Sequence, residues 1–315
     1  ILFVILGFDL TSFSIAILLR SIVGAISIYI VSPWKIGLAL NLQESKGLLK
    51  FGIPYQANSL LALLKDRLVP LVIAKLVGAE GIGFISWSQN LAFLPLEVMN
   101  IIIRITFPAL SRVQGESEIL KKALERSLFA TTALVYPLLF GMMALAPYLV
   151  RFVVSDKWEP ALPSFYLFCV STFWATLSTT FTNSLNAIGK INVTLKLMVF
   201  WTILTWILTP ILTLKFGFLG VSISSALISI TSILTIILIK KYIGPSIIQN
   251  IWQPLVSSIL MGISVFYISD LIVNNLISLL VMVVVGAVIY LSLLYILAMD
   301  KIKSYFSEVK DVFSS

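Results

Sequence analysis

Long runs of apolar residues, separated by short polar stretches, extend along the whole chain. Each run has about 20 residues or more, the length that an α-helix needs to cross the hydrocarbon core of a membrane. The strands of a membrane β-barrel would instead be short and alternate in polarity. The pattern therefore predicts an all-α, polytopic transmembrane bundle of about nine spans. The expected spans are 9–31, 52–76, 82–109, 127–150, 161–186, 194–214, 218–239, 253–271 and 275–298.

Composition supports a membrane protein and excludes a soluble one. Of the 315 residues, 59% are hydrophobic and 11% are charged, and the mean hydropathy is +1.05. A soluble domain carries about 25% charged residues, because its surface must remain hydrated. Too few polar side chains are present here to cover a water-exposed surface, so the outer surface is expected to face lipid.

The positions of the lysines and arginines predict how the chain is oriented. One set of alternate loops contains 14 of the 22 basic residues, and the opposite set contains 4. The larger set is Lys35, Lys46, Lys50, Arg112, Lys121, Lys122, Arg126, Lys190, Lys196, Lys240, Lys241, Lys301, Lys303 and Lys310. Because cytoplasmic loops carry the excess of Lys and Arg, these loops and the C-terminus are expected in the cytoplasm. The net charge of +8 thus indicates membrane topology and not a nucleic-acid partner.

Few kinds of chemistry are compatible with this composition. The chain has no histidine, and Cys169 is its one cysteine, within an apolar run. Zinc sites, disulfide frameworks and Ser-His catalysis are therefore excluded. We expect no catalytic residues, no metal ligands and no cofactor.

Five ionisable residues are predicted to lie near the middle of the membrane: Arg20, Lys65, Asp66, Arg67 and Glu97. A charge at this depth costs about 3 kcal/mol or more, so it usually faces a cavity or a partner. Three bases and two acids leave a net positive charge, which favours a site for an anionic headgroup. The alternative is that these charges pair with one another and fix the helix register.

Helical geometry assigns these residues to faces. The residues expected to line a water-filled cavity are Asn58, Ser59, Lys65 and Asp66. Arg67 lies on another face and is expected to turn toward a neighbouring helix, where Glu97 or Asp66 would neutralise it. Arg20 of the first span is a further candidate for the cavity.

The fifth predicted span is rich in small polar residues. They are Ser171, Thr172, Thr176, Ser178, Thr179, Thr180, Thr182, Asn183, Ser184 and Asn186. Two interpretations remain open, namely close helix packing and a wall that faces a sugar. The serines of the seventh span, Ser222, Ser224, Ser225 and Ser229, are expected to serve packing.

Several motifs resemble those of the polysaccharide flippases in the multidrug/oligosaccharidyl-lipid/polysaccharide exporter superfamily, which translocate O-antigen and exopolysaccharide precursors. The matching elements are Phe51-Gly52-Ile53-Pro54, Asp66, Val77-Gly78, Phe84, Phe107-Pro108-Ala109-Leu110-Ser111-Arg112-Val113-Gln114, the loop with Arg151 and Asp156-Lys157-Trp158, and Leu185-Asn186-Ala187-Ile188-Gly189-Lys190. The family often has Arg at the last position, so Lys190 departs from its pattern.

The resemblance implies a two-lobe transporter, of which this chain would be the C-terminal two-thirds. The start at Ile1, inside hydrophobic sequence, fits a piece of a longer protein. The expected parts are the last helix of an N-terminal lobe, an amphipathic cytoplasmic connector, a six-helix lobe, two additional helices and a cytoplasmic tail. Their boundaries are 1–31, 32–51, 52–239, 240–298 and 299–315.

The resemblance also implies the activity. Such a protein would flip an undecaprenyl-diphosphate-linked oligosaccharide from the cytoplasmic to the outer leaflet of the bacterial inner membrane, by alternating access. Lys65 and Arg20 would contact the diphosphate or an acidic sugar, and Asp66 would orient them or couple ions. The expected partners are this lipid-linked substrate, membrane lipids and polysaccharide polymerase machinery.

Two other functions remain possible on the sequence. A multidrug or metabolite antiporter of the same superfamily would need an acidic cavity to hold cations, which the net positive midplane opposes. A membrane-embedded polymerase or ligase would need a sizeable external loop with acid or base groups, and the external loops here are short.

Overall fold

The computed structural model describes residues 11–31, 42–65, 69–113 and 115–314, which form ten α-helices joined by short connections. No β-strand occurs within these ranges, so the predicted all-α class is confirmed. The helices are α1 (Thr11–Val31), α2 (Leu42–Leu63), α3 (Val69–Arg112), α4 (Ser117–Leu149), α5 (Leu162–Ala187), α6 (Ile191–Phe216), α7 (Leu219–Ile230), α8 (Ile233–Tyr242), α9 (Ile247–Ile272) and α10 (Leu276–Ser314).

The described part of the chain contains eight helical segments that are long and apolar enough to cross a membrane. They coincide with eight of the predicted spans, with α7 and α8 together forming the segment Leu219–Tyr242. The remaining predicted span, 52–76, includes residues 66–68, which lie outside the described ranges. The polytopic helical bundle expected from the apolar runs is therefore confirmed.

Several helices are longer than the apolar runs that predict them. Helix α2 begins at Leu42, inside the segment 32–51 that was expected to be a connector, and α4 begins at Ser117 instead of near 127. Hydropathy marks where a helix leaves the hydrocarbon, and the helical hydrogen bonds continue beyond that point. The apolar pattern consequently underestimates the lengths of these helices.

Helices α3 and α10 each contain a residue with non-helical backbone angles. At Gly78 the backbone has φ 70° and ψ −178°, in a region that residues with a Cβ rarely adopt, so this break depends on glycine. It lies at the Val77-Gly78 turn expected from the sequence. At Ala298 the break (φ −124°, ψ 17°) separates the apolar part of α10 from its charged end.

The chain divides into two compact units, Ile1–Leu49 and Lys50–Ser315. In the first unit, the apolar side chains of α1 are exposed along its length, for example Ile17 at 66% and Ile28 at 69%. Such side chains suit contact with lipid acyl chains, which are as apolar as the side chains themselves.

In the second unit, α4 is central and contributes to three apolar clusters. One cluster joins α4 to α9 and α10, one joins it to α3 and α5, and one joins it to the ends of α3, α5, α8 and α9. Gly262 allows α4 and α9 to lie close together, because a Cβ on this residue would be 3.2 Å from the Cβ of Phe140. Small residues of this kind favour close helix packing in membranes.

The connection between α4 and α5 is folded back onto α3. It consists of a π-helical turn, Val150–Val154, and a 3₁₀ segment, Asp156–Ala161. The Trp158 ring stacks on Trp87 with centroids 5.6 Å apart, and Ser88 Oγ of α3 donates to the Ala161 carbonyl at 2.9 Å. These contacts fix the start of α5 against α3, and α5 forms a wall of the cavity described next.

Candidate functional site

A cavity of about 630 Å³ lies among helices α2, α3, α5, α6 and α7 of the second unit. This volume is within the range of about 300–1,000 Å³ that is typical of small-molecule sites. Of its 28 lining residues, 17 are polar, which is unusual inside a bundle of apolar helices. The polar residues are Asn58, Lys65, Ser86, Gln89, Ser171, Ser178, Thr179, Thr182, Asn183, Asn186, Thr194, Thr205, Thr209, Ser224, Ser225, Ser229 and Ser232.

Each helix faces the cavity along one stripe. Residues spaced by three or four positions share a helix face, and the lining residues follow this spacing. On α6 the stripe is Thr194, Met198, Trp201, Thr205 and Thr209. The stripe on α3 is more apolar and carries Ser86 and Gln89 among Ile82, Ile85, Phe93 and Leu96. The polar lining residues of the cavity therefore come mainly from α5, α6 and α7, whereas the stripe on α3 is largely apolar.

Helix α5 carries two polar stripes that differ in their surroundings. The cavity stripe consists of Ser171, Ser178, Thr179, Thr182, Asn183 and Asn186. The packing stripe consists of Thr172, Thr176, Thr180 and Ser184, all of which are at least 98% buried. The packing interpretation thus applies to one face of the helix, while the other face lines the cavity, where contact with a sugar stays a prediction. The packing stripe also joins α5 to α3, where Thr172 Oγ1 donates a hydrogen bond to the Ala92 carbonyl at 2.8 Å.

A chain of side-chain hydrogen bonds joins three helices at one end of the cavity. Asn58 Nδ2 of α2 donates to Thr194 Oγ1 of α6 at 3.2 Å, and that hydroxyl donates to Asn186 Oδ1 of α5 at 2.6 Å. The Oδ1 atom of Asn58 is buried and has no hydrogen-bond partner among the described residues.

Pairs of hydroxyls connect the remaining walls. Ser171 Oγ of α5 lies 2.8 Å from Ser225 Oγ of α7, and Thr209 Oγ1 of α6 lies 2.9 Å from Ser224 Oγ of α7. The seventh-span serines thus differ from the expectation of packing alone. Ser222 contacts Ser164 at 3.1 Å within the packed interior, whereas Ser224, Ser225 and Ser229 also line the cavity.

Lys65 is the one ionisable side chain among the cavity-lining residues that the structure describes. It is half-buried and lies just after the end of α2, two helical turns beyond Asn58. No carboxylate is among the lining residues, and no group of three or more His, Cys, Asp or Glu side chains occurs elsewhere in the described ranges. In electrostatic terms, this part of the cavity can attract an anion through Lys65.

The structure separates the other residues that were predicted to lie at the site. Ser59 is exposed, bonds back to the Tyr55 carbonyl and does not line the cavity, because it lies about 100° around α2 from Asn58. Ser59 thus lies outside the lining of this cavity, and its predicted role in binding stays a prediction. Glu97 is also exposed and outside the lining of the cavity.

The remaining candidates cannot be placed at the cavity. Arg20 is exposed on α1, in the first unit. Asp66 and Arg67 lie outside the described residues, so the predicted neutralisation of Arg67 by Glu97 or Asp66 stays a prediction. Roles in binding likewise stay predictions for Asn58 and Lys65, although both residues line the cavity.

The sequence analysis did not single out the cavity residues of α3 and α6. Ser86 and Gln89 lie on one face of α3, and Thr205 and Thr209 lie on one face of α6. The signal available in the sequence is the spacing of three or four between polar residues inside an apolar span. It does not tell whether such a face meets a cavity or another helix.

Comparisons with known proteins agree with this architecture. Residues 1–163, about half of the chain, match the family described as "Polysaccharide biosynthesis protein". The structure is similar to the "Lipid II flippase MurJ, inward closed conformation", with a TM-score of 0.74 over 95% of this chain and 64% of that chain. Sequence identity to it is 18%, so this likeness concerns the fold.

Relatives are found in several bacteria. The chain is 28% identical over 224 residues to the "Lipopolysaccharide biosynthesis protein WzxC" of Escherichia coli K12, covering 69% of this chain and 46% of the relative. It is 24% identical over 191 residues to the "Succinoglycan biosynthesis transport protein ExoT" of Rhizobium meliloti, covering 60% and 39%. These matches extend over less than half of each relative's length. The family match, which extends over more than half of the chain, shows that the chain belongs to the family described as polysaccharide biosynthesis protein.

Proposed function

We propose that this protein moves a lipid-linked oligosaccharide from the cytoplasmic to the outer leaflet of the bacterial inner membrane, and that undecaprenyl diphosphate carries the sugar. The observation that carries this proposal is the polar cavity inside an apolar bundle, with Lys65 as the charged residue among its described lining. A sugar cannot cross hydrocarbon alone, because each unpaired polar group would lose its hydrogen bonds to water. A polar cavity at membrane depth replaces those bonds during the crossing.

The chemistry of the cavity corresponds to the two polar parts of such a substrate. Hydroxyls and amides on α5, α6 and α7 suit the sugar, and the ammonium group of Lys65 suits a diphosphate oxygen. The polyprenyl tail would stay in the surrounding lipid. The relatives are named for lipopolysaccharide biosynthesis and for succinoglycan transport, and these names support a polysaccharide precursor as the substrate.

Movement between leaflets requires the cavity to open to each side in turn, and we propose alternating access of two lobes. In this arrangement residues 52–239 form one lobe, 240–298 are two additional helices, and 1–31 belong to the other lobe. The excess of basic residues in one set of loops supports a cytoplasmic C-terminus. Lipid molecules and the polymerase machinery for the exported polysaccharide are the other partners in this proposal.

The alternatives receive less support from the cavity. A cation antiporter needs carboxylates in its cavity, and none is among the described lining residues. A polymerase or ligase needs a larger external segment with acid or base groups than the short connection between α4 and α5. The proposal is therefore transport without covalent chemistry.

The test replaces Lys65 at the gene's own chromosomal locus and measures surface polysaccharide. Lys65→Ala removes the cation, and we expect export to fall about tenfold or more, because charge-assisted hydrogen bonds contribute about 1.5–3 kcal/mol. Lys65→Arg keeps the charge and should retain most export. The matched control is Lys75→Ala, which removes an exposed lysine of α3 that does not line the cavity.

Two measurements make the result decisive. The amount of each variant in the membrane must equal that of the wild type, and radiolabelled lipid-linked intermediate should accumulate in the Lys65→Ala strain. Normal export by Lys65→Ala at a normal protein level would contradict the role of Lys65. Loss of export in Lys75→Ala as well would show that the effect is not specific to the cavity.

A further inference from the structure

Three aromatic side chains are among the described lining residues of the cavity, and Trp201 of α6 differs from the other two. Phe93 of α3 and Phe168 of α5 contact each other edge to face, with ring centroids 6.0 Å apart, and Phe168 is 1% exposed. Trp201 is half-buried, and no ring contact within the described ranges involves it. The faces of the indole are therefore not covered by another described aromatic side chain.

The polar edge of the Trp201 ring is engaged within the protein. Its Nε1–H group donates at 3.1 Å to Oγ1 of Thr231, which follows the end of α7. Thr231 Oγ1 itself donates to the Ile228 carbonyl at 2.6 Å, so it meets the indole as an acceptor. An indole has one donor, and the rest of the ring is apolar carbon with an electron-rich face. The bond to Thr231 thus orients the ring and leaves apolar surface to present to the cavity.

Trp201 lies about midway along the cavity stripe of α6, between two polar positions. Thr194 precedes it by about 10 Å and Thr209 follows it by about 12 Å along the helix, at 1.5 Å per residue. Each of these hydroxyls is bonded to another helix, Thr194 to Asn186 at 2.6 Å and Thr209 to Ser224 at 2.9 Å. The oriented indole is therefore bordered by hydrogen-bonding groups on both sides.

A pyranose ring has two kinds of surface that match this arrangement. Its hydroxyls project mainly from the rim, and the axial C–H groups of one face form an apolar, slightly positive patch. Such a patch is attracted to the negative face of an aromatic ring, while the rim hydroxyls need hydrogen-bond partners. An acyl chain would use the ring and not the polar groups, and an inorganic anion would do the reverse.

We propose that Trp201 is a stacking platform for one pyranose ring of the transported oligosaccharide, and that Thr231 holds the indole in the orientation that stacking requires. Trp201 is then a specificity residue and Thr231 a positioning residue. This inference rests on the proposed function and deepens it, because it assigns a pyranose with an apolar C–H face to the α6 wall of the cavity.

The test uses oligosaccharides of one repeat unit, released by mild acid from the cell's own surface polysaccharide. Their binding to the protein, purified from membranes after expression from its own gene, is measured by saturation-transfer difference NMR. Trp201→Phe keeps an aromatic face and should weaken binding by at most about twofold. Trp201→Leu keeps apolar bulk without that face and should weaken it about fivefold or more.

The matched control is Trp206→Leu, on the same helix. Trp206 is 38% exposed and lies outside the lining of the cavity, because it is about 140° around α6 from Trp201. We expect this variant to bind the oligosaccharide as the wild type does. Thermal unfolding of all variants checks that they fold.

Substitution of Thr231 tests the positioning role separately. Thr231→Val removes the acceptor of the indole N–H group and should weaken binding about threefold, whereas Thr231→Ser keeps the hydroxyl and should retain it. In a protein that already carries Trp201→Leu, Thr231→Val should have no further effect, because no indole is left to orient. Independent, additive effects would contradict the positioning role.

A second measurement uses the protein without a substitution in the cavity. When all seven tryptophans are replaced by 5-fluorotryptophan, each gives a ¹⁹F resonance, and Trp201→Phe and Trp206→Phe identify two of them. Addition of the oligosaccharide should shift the Trp201 resonance, because the sugar C–H groups lie on its ring, and should leave that of Trp206 in place.

The outcomes separate this inference from the proposed function. Wild-type binding by folded Trp201→Leu, an equal loss in Trp206→Leu, an unchanged Trp201 resonance, or no binding of the oligosaccharide by the wild type would overturn the inference. None of these results changes the export measurement with Lys65→Ala. Conversely, normal export by Lys65→Ala would contradict the role of Lys65 while leaving the effect of Trp201 on binding measurable.

Discussion

The packing stripe and the cavity stripe of α5 contain the same kinds of residue and differ in how firmly their side chains are held. On the packing stripe, Thr176, Thr180 and Ser184 each donate to a carbonyl four residues earlier at 2.8 Å. On the cavity stripe, Ser178 and Thr182 donate to carbonyls three residues earlier at 3.4 and 3.2 Å. Normal O–H···O bonds are about 2.5–3.0 Å long.

This difference shows what a neighbouring helix does to a hydroxyl. On the packed face, adjacent helices restrict the rotamer, and the side chain makes a short bond within its own helix. On the cavity stripe, the bonds of Ser178 and Thr182 are longer than this, so less is lost when either hydroxyl turns to a ligand. Both stripes of α5 are thus polar. The cavity stripe differs in that it borders free space, so it is the stripe that can bind a ligand.

The largest loss of stability is expected for a substitution at the position where two helices pack without any space between them. Gly220 of α7 lies so close to α6 that an added Cβ would be 2.2 Å from the Leu212 carbonyl oxygen. We expect Gly220→Ala to destabilise the protein by about 3 kcal/mol or more, since backbone must move to relieve the overlap. The measurement is the free energy of unfolding in mixed micelles with increasing SDS.

Gly83 of α3 is the matched control for this prediction. A Cβ there would meet the Trp158 ring at 3.9 Å, which is ordinary contact, so Gly83→Ala should change stability little. Equal stability of the Gly220→Ala and Gly83→Ala variants would show that the approach of α6 and α7 does not depend on glycine. Tight packing at a position would then not predict how much a substitution there destabilises the protein.

An intermediate effect is expected for two buried tyrosines that differ in their partners. Tyr290 OH of α10 donates to the Ala133 carbonyl at 2.7 Å, whereas Tyr136 OH of α4 is buried without a partner among the described residues. Tyr290→Phe should reduce the free energy of unfolding by about 1 kcal/mol, and Tyr136→Phe should raise it by about 1 kcal/mol, since an unpaired buried hydroxyl is unfavourable.

The same SDS unfolding measurement tests both tyrosine variants. Each change removes one oxygen and keeps the ring, so Tyr136 retains its stacking on Phe173, with ring centroids 4.9 Å apart. Opposite signs for the two variants would confirm that a partner, and not burial alone, decides the value of a polar group in the packed interior. A loss of stability in both would contradict it.

The sequence was sufficient for the fold class and most of the span positions. An apolar run of membrane length can form few structures other than a transmembrane helix. Eight predicted spans accordingly coincide with helices of the structure. The glycine break at Gly78 was also expected from the sequence. The start of α2 at Leu42 was missed, because polar flanking residues can stay helical outside the hydrocarbon.

The candidate site was predicted only in part. Depth in the membrane follows from the rise per residue, but the direction of a side chain depends on which neighbour its helix meets. For this reason Lys65 and Glu97, expected at one depth, differ in the structure: Lys65 lines the cavity and Glu97 does not. For the same reason the two stripes of α5 could not be told apart before the neighbours were known.

The smallest effect tests the comparison of the two α5 stripes directly. Thr172→Val removes the packing-stripe hydroxyl that contacts the Ala92 carbonyl of α3 at 2.8 Å, and Thr182→Val removes a cavity-stripe hydroxyl. We expect Thr172→Val to lower the free energy of unfolding by about 0.6 kcal/mol, the average for side-chain hydrogen bonds between membrane helices. Thr182→Val should leave stability unchanged within error. A larger loss for Thr182→Val would mean that the cavity stripe supports the fold, and its polar residues would then need no ligand to explain them.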